Sequence, residues 1–368
     1  MTKGTLAILG SGETAPGMTK VHRELLKRHG SELRAVTIDT AYGFQENVPQ
    51  MTEKLVTYFE TSLHVTFTPL HFPSFEDASE VDRTVFKQQV REANYVFAGP
   101  GSPSYAIHQW LPLHLNDDFN AILHRGGTLC FSSAAAATLG AFSPPIYEIY
   151  KVGAAPYWNE GLDVLAPFGL RCVVIPHFDN NEGANYDTSC CYLGLRRLEL
   201  MERELPDDVA TLGVDEHTAL LLDLEADTLR VLGRSHGYWR LNGSIRVLEN
   251  GSTTSLEDLR LFEAVRTRVV IDHTPKRDET PTDLAERARG EGADALEALA
   301  ELVRLSASGA QGFIDPRPLV EGILAARESA RSTGQYALAD QLRDALVQSG
   351  IEVKDGPDGS TWNLKTPA

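Results

Sequence analysis

The sequence predicts an α/β fold: a doubly wound, mostly parallel sheet followed by a small helical domain that ends in a β-hairpin. Three observations predict it. Short apolar runs alternate with helix-length segments over the first two-thirds of the chain. Two of those runs end in glycine-bearing turns, Gly10-Ser-Gly-Glu13 and Gly99-Pro-Gly-Ser-Pro103, as parallel strands do where they hand over to helices. Beyond His273 the composition shifts to alanine- and arginine-rich helical segments.

The elements follow in order. Thr5 to Leu9 is a short apolar strand. Met18 to His29 is a helix with Leu25 and Leu26 on its apolar side and Gly30 as its stop. Leu33 to Thr40 is a second strand, Glu46 to Phe59 a second helix, and His64 to Leu70 a third strand. A helix near Asp82 to Glu92 and a strand from Tyr95 to Ala98 come next. Thr128 to Phe131 reads as a buried strand, and the small residues after Ser132-Ser133 start an alanine-rich helix. Val173 to Phe178 is apolar and extended, with Cys190-Cys191 in a helix beyond it. Apolar runs between Ala219 and Leu232 flank Glu225-Ala-Asp as a hairpin, and Ser244 to Leu248 closes on the turn Asn250-Gly251. These late strands are expected to extend or edge the main sheet. A helix from Ser255 to Val265 and a strand from Arg268 to Ile271 complete this part. Helices follow at about Thr282 to Leu305, Pro316 to Ser332 and Gln335 to Ser349. The strand Ile351 to Val353 then turns through Asp355-Gly-Pro-Asp-Gly359 into Thr361-Trp-Asn-Leu364.

At 368 residues and 42% hydrophobic, the chain has material for two domains, expected at 1–272 and 282–368 with the polar, proline-containing linker 273–281 between them. The formal charge of −17 argues against a non-specific nucleic-acid binder, though a local basic patch stays open. No apolar run approaches a membrane span, and Met1-Thr-Lys-Gly lacks a signal-peptide core, so a cytoplasmic location without membrane partners is expected. Cys130, Cys172, Cys190 and Cys191 lack paired metal-ligand spacing and are expected to be free, mostly buried thiols, with no metal.

The chemistry concentrates in three places. A strand, a sharp turn and a helix around Ser132-Ser133 put a hydroxyl at the sheet's carboxyl edge, either as a nucleophile elbow or as a turn and N-cap. His177 stands at the end of one strand and Glu216 at the entry to another. If all three meet at the edge of a single sheet, the imidazole takes the serine proton and the carboxylate orients the imidazole. The N–H groups of Ala134 and of the Gly99–Gly101 loop are the candidate oxyanion donors; a purely structural turn is the alternative for that loop.

Five blocks resemble the cyanophycinase-like, serine-type peptidase S51 group. They are Leu6-Ala-Ile-Leu-Gly-Ser-Gly-Glu13, Phe97-Ala-Gly-Pro-Gly-Ser102, Ser132-Ser-Ala-Ala-Ala136, Pro176-His-Phe178 and Gly213-Val-Asp-Glu-His-Thr-Ala219, spread over most of residues 1–250. The resemblance implies the flavodoxin-like sheet of class I glutamine amidotransferases, with Ser133 as nucleophile, His177 as base and Glu216 as third member. It implies no cofactor and a small peptide or amide substrate. The family's Ser-Ala-Gly-Ala elbow reads Ser133-Ala-Ala-Ala136 here, Gly-Pro-Gly-Ser-Pro103 replaces its Gly-Gly loop, and Ile175-Pro176 stands where an acid precedes its histidine. Asp179, Glu182, Asp187 and Arg196 belong to a segment resembling a subgroup and form either a different polar pocket or helix caps and surface ion pairs.

Residues from about Leu319 to Leu364 resemble the C-terminal end of cysteinyl-tRNA synthetase, through Arg327, Ala330-Arg331, Ala339-Asp340-Gln-Leu-Arg-Asp344, Gly350-Ile351 and Gly359-Ser-Thr-Trp362. That resemblance implies a tRNA contact, with Arg327, Arg331 and Arg343 as phosphate-binding candidates. Leu338, Leu342 and Leu346 at helical spacing serve packing. The leading expectation is thus a cytosolic serine peptidase or amidase of S51 type, with homo-oligomers open. The alternatives are a non-catalytic interaction protein on the same scaffold and a glutamine amidotransferase, in which Cys130 would supply the thiol.

Overall fold

The computed structural model describes residues 3–262 other than Ala184, the positions 324, 328 and 331, and the segments 351–356 and 359–364. The chain divides into two compact units, Met1–Arg266 and Thr267–Ala368.

In the first unit, β1 (Thr5–Leu9), α1 (Thr19–Lys27), β2 (Ala35–Ile38), α2 (Val48–Tyr58) and β3 (Thr68–Leu70) alternate as expected. So do α3 (Glu80–Glu92) and β4 (Tyr95–Ala98). Two helices absent from the sequence reading, α4 (Pro103–Trp110) and α5 (Leu115–His124), lead into β5 (Thr128–Ser132). The chain continues through α6 (Ser133–Ala136), the two-residue strands β6 (Phe142–Ser143) and β7 (Asn159–Glu160), then β8 (Cys172–Ile175) and α7 (Leu195–Glu202). Next come β9 (Ala210–Val214), β10 (Thr218–Asp223), β11 (Thr228–Gly233), β12 (Gly237–Leu241), β13 (Ser244–Leu248), β14 (Thr253–Ser255) and α8 (Leu256–Arg260).

The main sheet has eight strands in the order β14-β11-β10-β1-β5-β4-β2-β3. The five from β1 to β3 run parallel, and β10, β11 and β14 add an antiparallel flank. It is a mixed α/β fold with a largely parallel central sheet. Side-chain alternation divides its two faces. Leu6, Ile8, Leu129 and Phe131 join Trp110, Phe119 and Ile122 in one cluster. Ala7, Leu9, Cys130, Tyr95 and Phe97 join Val21, Leu25 and Phe59 in the other.

Several expectations are corrected. The late strands do not all extend the main sheet: β8, β9, β12 and β13 form a second, four-stranded sheet. Its Val174, Leu212 and Trp239 pack into the first cluster, so it covers the main sheet as a further layer. The alanine-rich helix is only four residues long, because the Thr138 hydroxyl donates to the Ala135 carbonyl and competes with the next turn. Cys190 and Cys191 lie in a turn with positive φ, not in a helix. All four cysteines are free and buried.

In the second unit, β15 (Ile351–Gly356) and β16 (Gly359–Leu364) pair antiparallel as the expected hairpin. Leu324, Glu328 and Arg331 are helical, with Leu324 buried. The linker, the strand expected at 268–271, and Arg327, Leu338, Leu342, Arg343 and Leu346 lie outside the described residues. No helix among the described residues is long and apolar enough to cross a membrane.

Candidate active site

The carboxyl ends of β4, β5 and β1 are neighbours, and each opens into a segment rich in small residues. On β5, Ser132 is fully buried, and its hydroxyl donates to the Glu13 carboxylate at 2.9 Å instead of capping a helix. Ser133 follows with φ 52°, a left-handed conformation uncommon for a residue with a Cβ. That turn is the strained elbow, and it points the Ser133 hydroxyl to His177, with Oγ 2.9 Å from Nε2. Ala135, two residues on, has no positive φ, so the methyl that stands where the resembled elbow has glycine meets no left-handed backbone penalty. Its N–H donates to the Gly99 carbonyl and ties the elbow to the β4 loop.

His177 and Glu216 do not come from strand ends of the main sheet. His177 follows β8 in the second sheet, while Glu216 lies in the crossing from β9 to β10, which passes from the second sheet to the first. The three residues therefore meet where the sheets join. Gly10, at the end of β1, holds that junction: its N–H donates to the Thr218 carbonyl, and its carbonyl accepts from the His177 N–H. A Cβ on Gly10 would stand 2.0 Å from the Asp215 carbonyl oxygen, so only glycine allows this approach.

His177 Nδ1 is 2.7 Å from Glu216 Oε1. An Nδ1–H donating to the carboxylate leaves Nε2 as the acceptor for the serine hydroxyl, the tautomer that proton abstraction requires. Burial raises the Glu216 pKa, but hydrogen bonds from His177 and Asn180 outweigh it and hold the carboxyl below its ordinary value. Asn180, buried and not singled out from sequence, donates to the same oxygen at 3.0 Å. Asp179 accepts the Glu216 N–H at 2.6 Å.

His177 is itself left-handed, at φ 47°. Its carbonyl accepts from Asn180 and Cys191 N–H groups, and the Phe178 carbonyl accepts from Cys190. Cys190, Cys191 and Tyr192 have φ of 54°, 59° and 66°, three consecutive left-handed residues with side chains. Such a run persists only where its surroundings over-determine it, and here it clamps the histidine loop.

The other expected residues divide. Glu182 accepts a hydrogen bond from the Tyr192 hydroxyl at 2.8 Å, and so lies beside the site. Asp187 instead accepts the Ser189 and Leu195 N–H groups, which works as a cap at the start of α7. Arg196 is exposed on α7.

Gly101 has φ 143°, and a Cβ there would stand 1.9 Å from the Ala41 carbonyl oxygen. Ser102 and Pro103 begin α4, with the Ser102 hydroxyl accepting the Tyr105 N–H. The proline that departs from the family pattern thus serves as a helix start. Cys130 is fully buried, and burial pushes its thiol up to about 12, which leaves no thiolate for amidotransferase chemistry. Among the described residues, no three His, Cys, Asp or Glu side chains form a metal-binding group.

Residues 317–362 match the family described as the cysteinyl-tRNA ligase anticodon binding domain. The cysteine–tRNA ligase of Bifidobacterium longum (strain NCC 2705) is 53% identical over 47 residues, 13% of this chain and 9% of that protein. That of Parvibaculum lavamentivorans is 30% identical over 142 residues, 34% of this chain and 30% of that protein. The chain therefore spans less than a third of the length of these relatives. Among solved structures, a peptidase from an acI-B1 Actinobacterium superposes with a TM-score of 0.54 at 23% identity, over 69% of this chain and 97% of that one. The likeness establishes the fold that the first unit shares with that structure, and residues 317–362 are similar to the anticodon binding domain of the cysteinyl-tRNA ligases.

Proposed function

We propose that the protein is a cytoplasmic serine hydrolase that cleaves a peptide or other amide bond of a small substrate, with Ser133, His177 and Glu216 as its triad. The observation that carries this reading is the continuous relay from Ser133 Oγ through His177 to Glu216, at 2.9 and 2.7 Å. Ser133 Oγ attacks the carbonyl carbon while its proton passes to His177 Nε2. Glu216 stabilises the imidazolium that results. The Ala134 N–H, in the first turn of α6 and without an intrahelical acceptor, and the Gly101 N–H are the donors for the oxyanion. His177 then protonates the leaving amine, and water repeats the sequence to release the acid from Ser133.

The tail adds a second element to the proposal: contact with tRNA, which would bring the hydrolase to an aminoacyl or tRNA-linked substrate. The family match over residues 317–362 supports it. Turnover of a panel of dipeptides, aminoacyl amides and aminoacyl esters tests the hydrolase. At least one class should be cleaved, with kcat lowered at least about 1,000-fold in Ser133→Ala and in His177→Ala. Turnover that survives Ser133→Ala would remove the serine from the mechanism.

A further inference from the structure

A wall of tyrosines begins at the histidine of the triad. The Tyr192 ring lies 6.3 Å from the His177 ring, Tyr150 lies 5.0 Å from Tyr192, and Tyr186 stacks on Tyr150 at 6.2 Å. The arrangement is fixed rather than incidental. Tyr192 sits in the left-handed clamp and donates to Glu182, while the Tyr150 and Tyr186 hydroxyls bond each other at 2.6 Å. Tyr150 and Lys151 lie on a one-turn π-helix, Glu148–Val152, a rare geometry often found at functional sites. Tyr186 is 58% exposed and is the outermost ring of the wall. The Lys151 ammonium stands over the Tyr150 ring at 4.4 Å, which places a cation within the wall, next to the exposed Tyr186.

A π-face beside an ammonium suits a planar ring with an anionic group attached. We propose that the Tyr150–Tyr186–Tyr192 wall is a substrate subsite for such a group, with the ring on the exposed Tyr186 and the anion met by Lys151. Two sources carry this chemistry: a nucleotide on an aminoacyl conjugate, and an aromatic residue with a terminal carboxylate. The assignment deepens the hydrolase reading and rests on it for the word substrate, but the binding itself is measurable without turnover.

Full-length Ser133→Ala protein is titrated calorimetrically with 5′-AMP, N-acetylphenylalanine and N-acetylalanine. One of the two ring-bearing ligands should bind at least about tenfold more tightly than N-acetylalanine. That advantage should disappear when Tyr150→Leu, or separately the exposed Tyr186→Leu, is added, and Lys151→Gln should weaken the ring-bearing ligand. Preference for 5′-AMP identifies the nucleotide source, and preference for N-acetylphenylalanine the peptide source. Equal affinity for all three, or an advantage that survives both tyrosine substitutions, overturns the subsite. Failure of wild-type Ser133 to react with a serine-directed phosphonylating reagent would overturn the hydrolase reading instead, and leaves the binding result standing on its own.

Discussion

At the residue scale, the site depends on how Glu216 is held. Two donors, His177 and Asn180, converge on one carboxylate oxygen and keep it ionised despite partial burial. Asn180→Leu removes one of them, and a hydrogen bond to a charged group is worth about 1.5 kcal/mol or more. The expected outcome is a loss of about tenfold in kcat/KM. The Glu216 pKa should also rise toward its ordinary value, read by NMR titration of the labelled carboxyl; a merely structural loss would leave it in place. Asn180 was not legible from sequence, because an asparagine three residues after a loop histidine resembles any turn residue. The same holds for the left-handed clamp: three consecutive non-glycine residues at positive φ carry no compositional signal. A second residue-scale prediction concerns His22, fully buried, which burial lowers from 6.5 to about 4 even though its ring donates to the Glu13 carbonyl. Between those values the unfolded chain binds a proton that the folded chain refuses. Stability should therefore be full above about pH 6.5 and fall by roughly 3 kcal/mol toward pH 4. Urea midpoints of wild type and of His22→Gln, which keeps a donor but does not titrate, should diverge over that window. Parallel curves would show that His22 is protonated in the fold.

At the element scale, the parallel half of the main sheet was the most legible part. Its strands are short apolar runs with glycine at their ends, and β4 appears as read from Tyr95 to Ala98. The second sheet was not legible. A strand such as β9, buried along its whole length, shows no alternation and nothing that says which sheet it joins. That gap explains why the serine, histidine and glutamate were expected at one sheet edge, when two of them arrive from the second sheet. Gly10 is where the two sheets are brought within reach, so Gly10→Ala should push the Asp215–His217 segment away. A displacement of about 1 Å at a catalytic group costs on the order of 100-fold, and kcat/KM should fall by about that much with the circular dichroism spectrum unchanged. Gly17→Ala, which meets open space, is the matching control. Equal activity of the two variants would show that the junction tolerates a wider spacing.

At the scale of the whole molecule, an acidic protein of net charge −17 carries a tail that matches an anticodon-binding domain. The proposed attraction to tRNA must then be local, and each phosphate contact made by Arg327, Arg331 or Arg343 should contribute about one unit to the salt slope of log K. Anisotropy titrations of labelled tRNA at several salt concentrations check this. Each substitution Arg327→Ala, Arg331→Ala or Arg343→Ala should flatten the slope, and equal binding by residues 1–272 alone would contradict a role for the tail. The hydrolase claim rests on a hydroxyl activated by the His177–Glu216 pair, and covalent capture reads that activation without knowledge of the substrate. Incubation with a fluorophosphonate, followed by intact mass and peptide mapping, should give one adduct on Ser133, none in Ser133→Ala, and strongly slowed labelling in His177→Ala. An unmodified Ser133 under conditions that label an ordinary serine hydrolase to completion would contradict the account.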